Sequence, residues 1–146
     1  DRTSEECYGL LAHQVTHVFT YDIIPSADTP RWFVEGIAEY ERGLWNPDDL
    51  IALRTRVRAG ADSEIAAIIG ATAVGSRMTD SVGHAAFEFV ESRWGREGVR
   101  RFLFAVRQAS MAASDPYQAA LQLTRGEFEE AFGRWLEARF AGAQGL

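Results

Sequence analysis

Residues 11–18 read Leu-Ala-His-Gln-Val-Thr-His-Val, with two histidines four positions apart among apolar neighbours. Residues at this spacing lie on one face of a helix, about one turn from each other. His13 and His17 are therefore close enough to share a tetrahedral metal ion. The chain contains only three histidines. The alternative is a pair of packed or surface histidines that bind nothing.

A second polar pair follows in residues 32–40, Trp-Phe-Val-Glu-Gly-Ile-Ala-Glu-Tyr, where Glu35 and Glu39 are also four apart. A short connector separates the two stretches, so we expect the two helices to fold back on each other. This hairpin would bring the two histidines to Glu35. Two histidines and a glutamate form a catalytic zinc set that leaves one coordination position open. The alternative for the carboxylates is a solvated helix face, which suits such an apolar stretch poorly.

Helix-start and helix-stop signals divide the rest of the chain. Period-2 alternation, which marks half-buried strands, is absent, so we expect a mainly α fold and a single domain over residues 1–146. The first three expected helices run from Thr3 (capping box with Glu6) to about Thr20, from Thr29-Pro30 to near Gly43, and from Asn46-Pro47 to about Ala59 with Gly60 as cap. A short helix is expected over 65–69, followed by helices from Asp80 or Ser81 to before Gly95 and from Gly98 to about Ala109. The last two start at Asp115-Pro116 and at Thr124 (capping box with Glu127), and the final helix ends at about Phe140. Gly70 to Ser76 is the most loop-like segment.

The net charge, the cysteine count and the length of the apolar runs exclude several classes of function. The net charge of −6 and the pI near 5.1 argue against nucleic acid as the main partner, since that binding depends on neutralising phosphates. The single cysteine excludes an intramolecular disulfide framework and a cysteine-based zinc ribbon. No apolar run is long enough to predict a membrane span. The cellular compartment stays open.

The two stretches resemble a known signature. Residues 11–18, followed by Pro-Arg-Trp-Phe-Val-Glu-Gly-Ile-Ala-Glu-Tyr at 30–40, look like the HExxH…E(G)xAE(Y) motif of the gluzincin zinc metallopeptidases, and are most similar to the small bacterial peptidase-MA-like group. The segment 82–95 and the closing 124–136 resemble the helical second half of those domains. The resemblance implies a zinc-dependent hydrolase acting on peptide or protein substrates.

Carried over residue by residue, the resemblance makes His13, His17 and Glu35 the ligands of one zinc ion per chain. Glu39 would accept a hydrogen bond from a ligand imidazole, an arrangement common around metal-bound histidines. Gluzincins also use a Tyr, His or Arg in their second half to stabilise the oxyanion. His84 is the tentative candidate here, with structural packing as its alternative.

The chain departs from the family at the residue after the first histidine. Active members have a glutamate there, which acts as general base on the attacking water. Gln14 cannot accept a proton, and the loss of a general base typically costs about 10²–10⁴-fold in rate. Zinc binding should survive, because this residue is not a ligand. Two explanations stay open: a natural pseudopeptidase that binds peptides or proteins, or a substitution that disables an active peptidase.

A second departure concerns the β-sheet that precedes the active-site helix in full gluzincin domains. Only twelve residues, or about three helical turns, precede His13, which leaves no room for that sheet. We therefore expect a helical domain that lacks most or all of it. The alternatives are a reduced form of the domain, or a preceding segment or partner that supplies the missing layer.

Overall fold

A computed structural model describes residues 2–24, 29–60, 62–70 and 77–141. Within these ranges all regular structure is helical, which confirms the predicted mainly α fold. None of these helices is long and apolar enough to cross a membrane. The elements are α1 (Arg2–Ile23), α2 (Arg31–Arg42), α3 (Pro47–Arg58), α4 (Asp62–Gly70), α5 (Arg77–Ala112), α6 (Pro116–Leu121) and α7 (Arg125–Leu136), followed by a π-helical turn (Glu137–Ala141).

Three of the predicted helix starts are confirmed by side-chain caps. Asn46 accepts a hydrogen bond from the backbone of Asp48 at the start of α3, and Asp115 caps α6 in the same way. Thr124 and Glu127 form the predicted capping box of α7, with each side chain accepting from the other residue's backbone N–H. These caps satisfy N–H groups that a helix leaves without partners in its first turn.

The first two helix starts differ from the prediction. Helix α1 already includes Thr3, so Thr3 is not its cap, and an Arg2–Glu6 ion pair of 3.2 Å spans the first turn instead. Helix α2 has Pro30, rather than Thr29, at its N-cap. Pro30 has an extended ψ of 136°, and its carbonyl accepts the first helical bond, 3.0 Å from the N–H of Phe33.

Helix α5 starts at Arg77, one turn earlier than predicted, and Arg77 pairs with Asp49 of α3 at 2.9 Å. The predicted interruption at Gly95 is confirmed, since this residue has φ 68° and ψ −178°, which no helix accommodates. The second part of α5 follows Gly95 directly, rather than starting at Gly98. Residues 71–76 of the predicted loop lie outside the described residues.

Helices α2 and α5 form the most extensive helix–helix contact among the described residues. An ideal Cβ on Gly36 would lie 2.5 Å from the backbone of Gly83, so the two helices approach as closely as glycine allows. Trp32 and Phe33 of α2 then pack against Phe87 of α5 in a buried aromatic cluster. This contact fixes the position of α2, which carries both glutamates of the motif.

Helix α1 attaches to α2 through a narrow face. Gly9 and Thr20 on that face are buried, whereas the apolar residues on the opposite side remain exposed, among them Tyr8 (74%), Val18 (63%) and Phe19 (61%). The helical periodicity of the apolar residues thus predicted the helix, but it does not mark the face that packs on α2.

Candidate metal centre

Helices α1 and α2 form the expected antiparallel hairpin. Gly9 lies against Arg42, His13 lies beside Glu39, and His17 lies beside Glu35, so each step along α1 is matched by a step backwards along α2. The four-residue spacing on both helices brings the two polar pairs into register. Both histidines and both glutamates are partly buried, with 13–17% of each side chain exposed.

Three donor atoms converge at this interface. His13 Nε2 and His17 Nε2 lie 3.0 Å apart, and His17 Nε2 lies 3.3 Å from Glu35 Oε2. One ligand atom from each of the three residues falls within 4.8 Å of the others, and this is the one group of its kind among the described residues. The structure therefore brings together the three residues that the sequence nominated as ligands.

The spacing of these donors matches what a zinc ion requires. Two donors about 2.1 Å from a tetrahedral zinc lie about 3.4 Å from each other. The observed 3.0 and 3.3 Å are close to that value. Without a shared proton or a cation, the lone pairs of two imidazole nitrogens at this distance would repel each other. The donor set thus fits a divalent metal ion.

Glu39 lies where a partner of a ligand histidine is expected. Its Oε1 is 3.0 Å from His13 Nδ1, on the side of the ring away from the converging donors, although the N–H is poorly aligned with the carboxylate. Burial lowers the pKa of His13, against the opposite effect of Glu39. A lower pKa favours the neutral imidazole, which is the form that binds a metal.

Gln14 directly follows His13 on α1, and it is exposed. His84, the tentative oxyanion residue, is only 4% exposed and stacks on Trp45 with ring centroids 3.9 Å apart. Burial, assisted by the charge of Arg42, lowers the pKa of His84 to about 4. This placement favours the packing alternative for His84, and its role at the oxyanion stays a prediction.

Sequence reasoning missed two charged residues of this region. Arg42 extends along α1 from the end of α2, and its Nη1 lies 3.6 Å from Glu39 Oε2. Asp80 of α5 has a buried Oδ1 that has no hydrogen-bond partner among the described residues. Burial raises the pKa of Asp80 to about 6, and the charge of Glu35 adds to that effect. The only feature of the sequence that could have indicated the position of Arg42 is Gly9, because a side chain at this position on α1 would contact Arg42. That relation is apparent only from the packing of α1 against α2.

No family model matches the chain, and comparisons with curated proteins and with solved structures found no match either. The resemblance to gluzincins therefore remains a prediction that rests on the motif residues.

Proposed function

We propose that this chain is a zinc-binding domain of the gluzincin metallopeptidase type, in which peptide hydrolysis is strongly impaired by Gln14. The convergence of two imidazole nitrogens and one carboxylate oxygen is the observation that supports this proposal. His13, His17 and Glu35 would hold the ion. Zinc bound there would supply Lewis acidity toward a substrate carbonyl or a water molecule.

The surrounding residues prepare the site for that role. Glu39 restrains the ring of His13 from the opposite nitrogen, which orients its Nε2 toward the ion. Arg31 lies 3.5 Å from Glu35 Oε1, leaving the Oε2 atom directed at His17. Three ligands from the protein leave one position of a tetrahedral ion open, as catalytic rather than structural zinc sites do.

Gln14 determines whether such a site can hydrolyse a peptide. An amide can hold a water molecule by a hydrogen bond, but it cannot remove a proton from it. We therefore expect the protein to bind zinc and a peptide while hydrolysing the peptide at a rate lower by about 10²–10⁴-fold than a form with glutamate at this position.

The test restores the base. Gln14→Glu should create hydrolysis of a mixed peptide pool, detected by mass spectrometry, that a chelator abolishes and zinc restores. Gln14→Ala is the matched control and should stay as inactive as the parent. Zinc content should be the same in all three proteins, because position 14 contributes no ligand.

A binding module is the second candidate function, and Gln14 is the observation that favours it. Such a module would keep the metal site to hold a peptide or a partner protein without cleaving it. If Gln14→Glu retained zinc but cleaved no peptide in the pool, the peptidase proposal would be wrong and the binding module would take its place.

A further inference from the structure

A groove of about 760 Å³ runs between the start of α1 and the turn that joins α2 to α3. Leu10, Leu44 and Trp45 provide its apolar wall, and Leu44 and Leu10 are about half exposed. Glu5 and Glu6 border it near the start of α1. We call this feature the Trp45 groove.

Arg42 connects the Trp45 groove to the candidate metal centre. It lines the groove, and its guanidinium group also lies 3.6 Å from Glu39, which in turn lies 3.0 Å from His13. On α1, Leu10 precedes His13 by three residues, or about one helical turn. One end of the groove is therefore adjacent to the metal ligands.

The position of Arg42 depends on a glycine. A Cβ on Gly9 would lie 3.0 Å from Cγ of Arg42 and 3.3 Å from its carbonyl oxygen, so Gly9 provides the space in which the arginine crosses α1. Only 25% of the Arg42 side chain is exposed. Its 3.6 Å distance to Glu39 is too long for a well-formed hydrogen bond, so the guanidinium retains donors for a ligand.

The charges around the site favour an anionic ligand once a metal is bound. Glu35 is paired with Arg31, and Glu39 is paired with Arg42, so these four charges cancel. A divalent ion then leaves a local charge of +2, or +1 when Asp80 is ionised. Near the start of α1 the groove is lined by Glu5 and by Glu6, which is paired with Arg2 at 3.2 Å. These three side chains carry a net charge of −1, so a ligand carboxylate is favoured at the Arg42 end.

We propose that the Trp45 groove and Arg42 together bind the C-terminal end of a peptide, with its terminal carboxylate on Arg42 and an apolar last side chain against Leu10 and Trp45. This inference rests on the proposed function and deepens it by naming the substrate class. Contacts of 3.6 Å from Arg42 to Glu39 and 3.0 Å from Glu39 to His13 separate the guanidinium from the candidate ligands. An extended residue spans about 3.5 Å, so one or two residues would bridge a carbonyl group at the metal centre and a carboxylate on Arg42. The site would thus handle the last one or two residues of a peptide.

The experiment measures equilibrium binding to the zinc-loaded protein, in which Gln14 prevents turnover. The probes are acetyl-Gly-Gly-Phe with a free carboxylate, the same peptide as its amide, and acetyl-Gly-Asp-Phe amide, which carries a carboxylate only on a side chain. Titrations followed by NMR at the Trp45 indole give the dissociation constants. Zinc content is measured in every sample.

We expect the free acid to bind at least about tenfold more tightly than either amide, as a charge-assisted bidentate contact should provide. Arg42→Gln should remove this preference. Arg31→Gln is the matched control, since it removes a charge from the same site, and it should keep the preference. Leu10→Ala should weaken the acid and the simple amide by the same factor.

The outcomes separate this inference from the proposed function. A protein that does not retain zinc contradicts the proposed function and removes the basis of this inference with it. If zinc is bound, the inference alone is overturned by equal affinity for acid and amide, by a preference that survives Arg42→Gln, by Asp-containing amide binding as tightly as the free acid, or by no binding of any probe.

Discussion

Replacing Gly36 with alanine should destabilise the protein, because α2 and α5 touch at this residue. The new Cβ would lie 2.5 Å from the carbonyl carbon of Gly83 and 2.6 Å from its Cα. Carbon atoms pack at about 3.5–4.0 Å, so the helices would have to separate by about 1 Å. Backbone atoms cannot rotate aside as a side chain can. Overpacking of this kind costs about 1–3 kcal/mol or more, against a gain of about 1 kcal/mol from alanine's helix propensity.

The clash is with backbone atoms, so the cost lies toward the upper end of that range. We therefore expect Gly36→Ala to lower the free energy of unfolding by about 1–2 kcal/mol and the Tm by roughly 2–8 °C. The assay is urea denaturation followed by far-UV circular dichroism. Gly133→Ala is the matched control, since Gly133 is also helical and a Cβ there would meet no described atom within 4 Å. The free energy of unfolding of Gly133→Ala should rise by up to about 1 kcal/mol. A Gly36→Ala protein as stable as its parent would refute the close approach of α2 and α5.

Three further predictions concern stability in zinc-free protein. Because burial lowers the pKa of folded His84 from 6.5 to about 4, the unfolded chain is protonated first as the pH falls. The free energy of unfolding should then decrease by about 3 kcal/mol as the pH falls from 6.5 to 4. His84→Gln should lack this component when urea denaturation is compared at pH 7 and pH 4.5. The pKa of Asp80 is raised from 3.8 to about 6 in the folded state. The stability that the protonated carboxyl contributes is therefore fully present below pH 3.8 and is lost as the pH rises through 6. Asp80→Asn should accordingly raise the Tm at pH 7, by an amount that disappears below pH 4, and an unchanged Tm at pH 7 would contradict the buried, unpartnered carboxyl. Thr124→Ala should cost about 1 kcal/mol through the lost cap of α7, measured as a lower midpoint of urea denaturation.

Local sequence signals predicted the helices because each depends on neighbours within about four residues. The Asn-Pro and Asp-Pro starts, the Thr124–Glu127 box and the interruption at Gly95 are all of this kind, and all are present in the structure. The wrong starts, at Thr3 and Thr29, share one cause. Each was assigned from a local pattern, the Thr3–Glu6 spacing or the Thr29-Pro30 pair, whereas Thr3 lies inside α1 and Pro30 is the N-cap of α2.

The convergence of the two histidines with Glu35 and Glu39 was predictable, because two pairs with the same spacing can come into register in a short antiparallel hairpin. The surrounding charges were not predictable in that way. Arg42 reaches the centre only because Gly9 leaves room for it on the other helix, and Asp80 comes from a helix that is distant in sequence. The positions of both side chains depend on how the helices pack against each other, and local sequence patterns do not predict that packing.

The exposed apolar side of α1 was also beyond local reasoning. Hydrophobic residues at helical spacing usually mark the face that enters the core. In α1 the face that packs on α2 instead carries small and polar residues and the two histidines, which leaves Val18 and Phe19 exposed. Residues of the predicted metal site therefore occupy the α1 face where large apolar residues are usual.

Zinc binding by His13, His17 and Glu35 is tested most directly by the zinc content and zinc affinity of the protein and of two histidine variants. We predict one zinc per chain in protein purified without chelators, lost in His17→Gln and retained in His84→Gln. The second variant is the matched control, because it removes the one histidine that lies outside the converging donors. A protein that binds no zinc, or a His17→Gln variant that binds it as tightly as the parent, would contradict the metal centre described here.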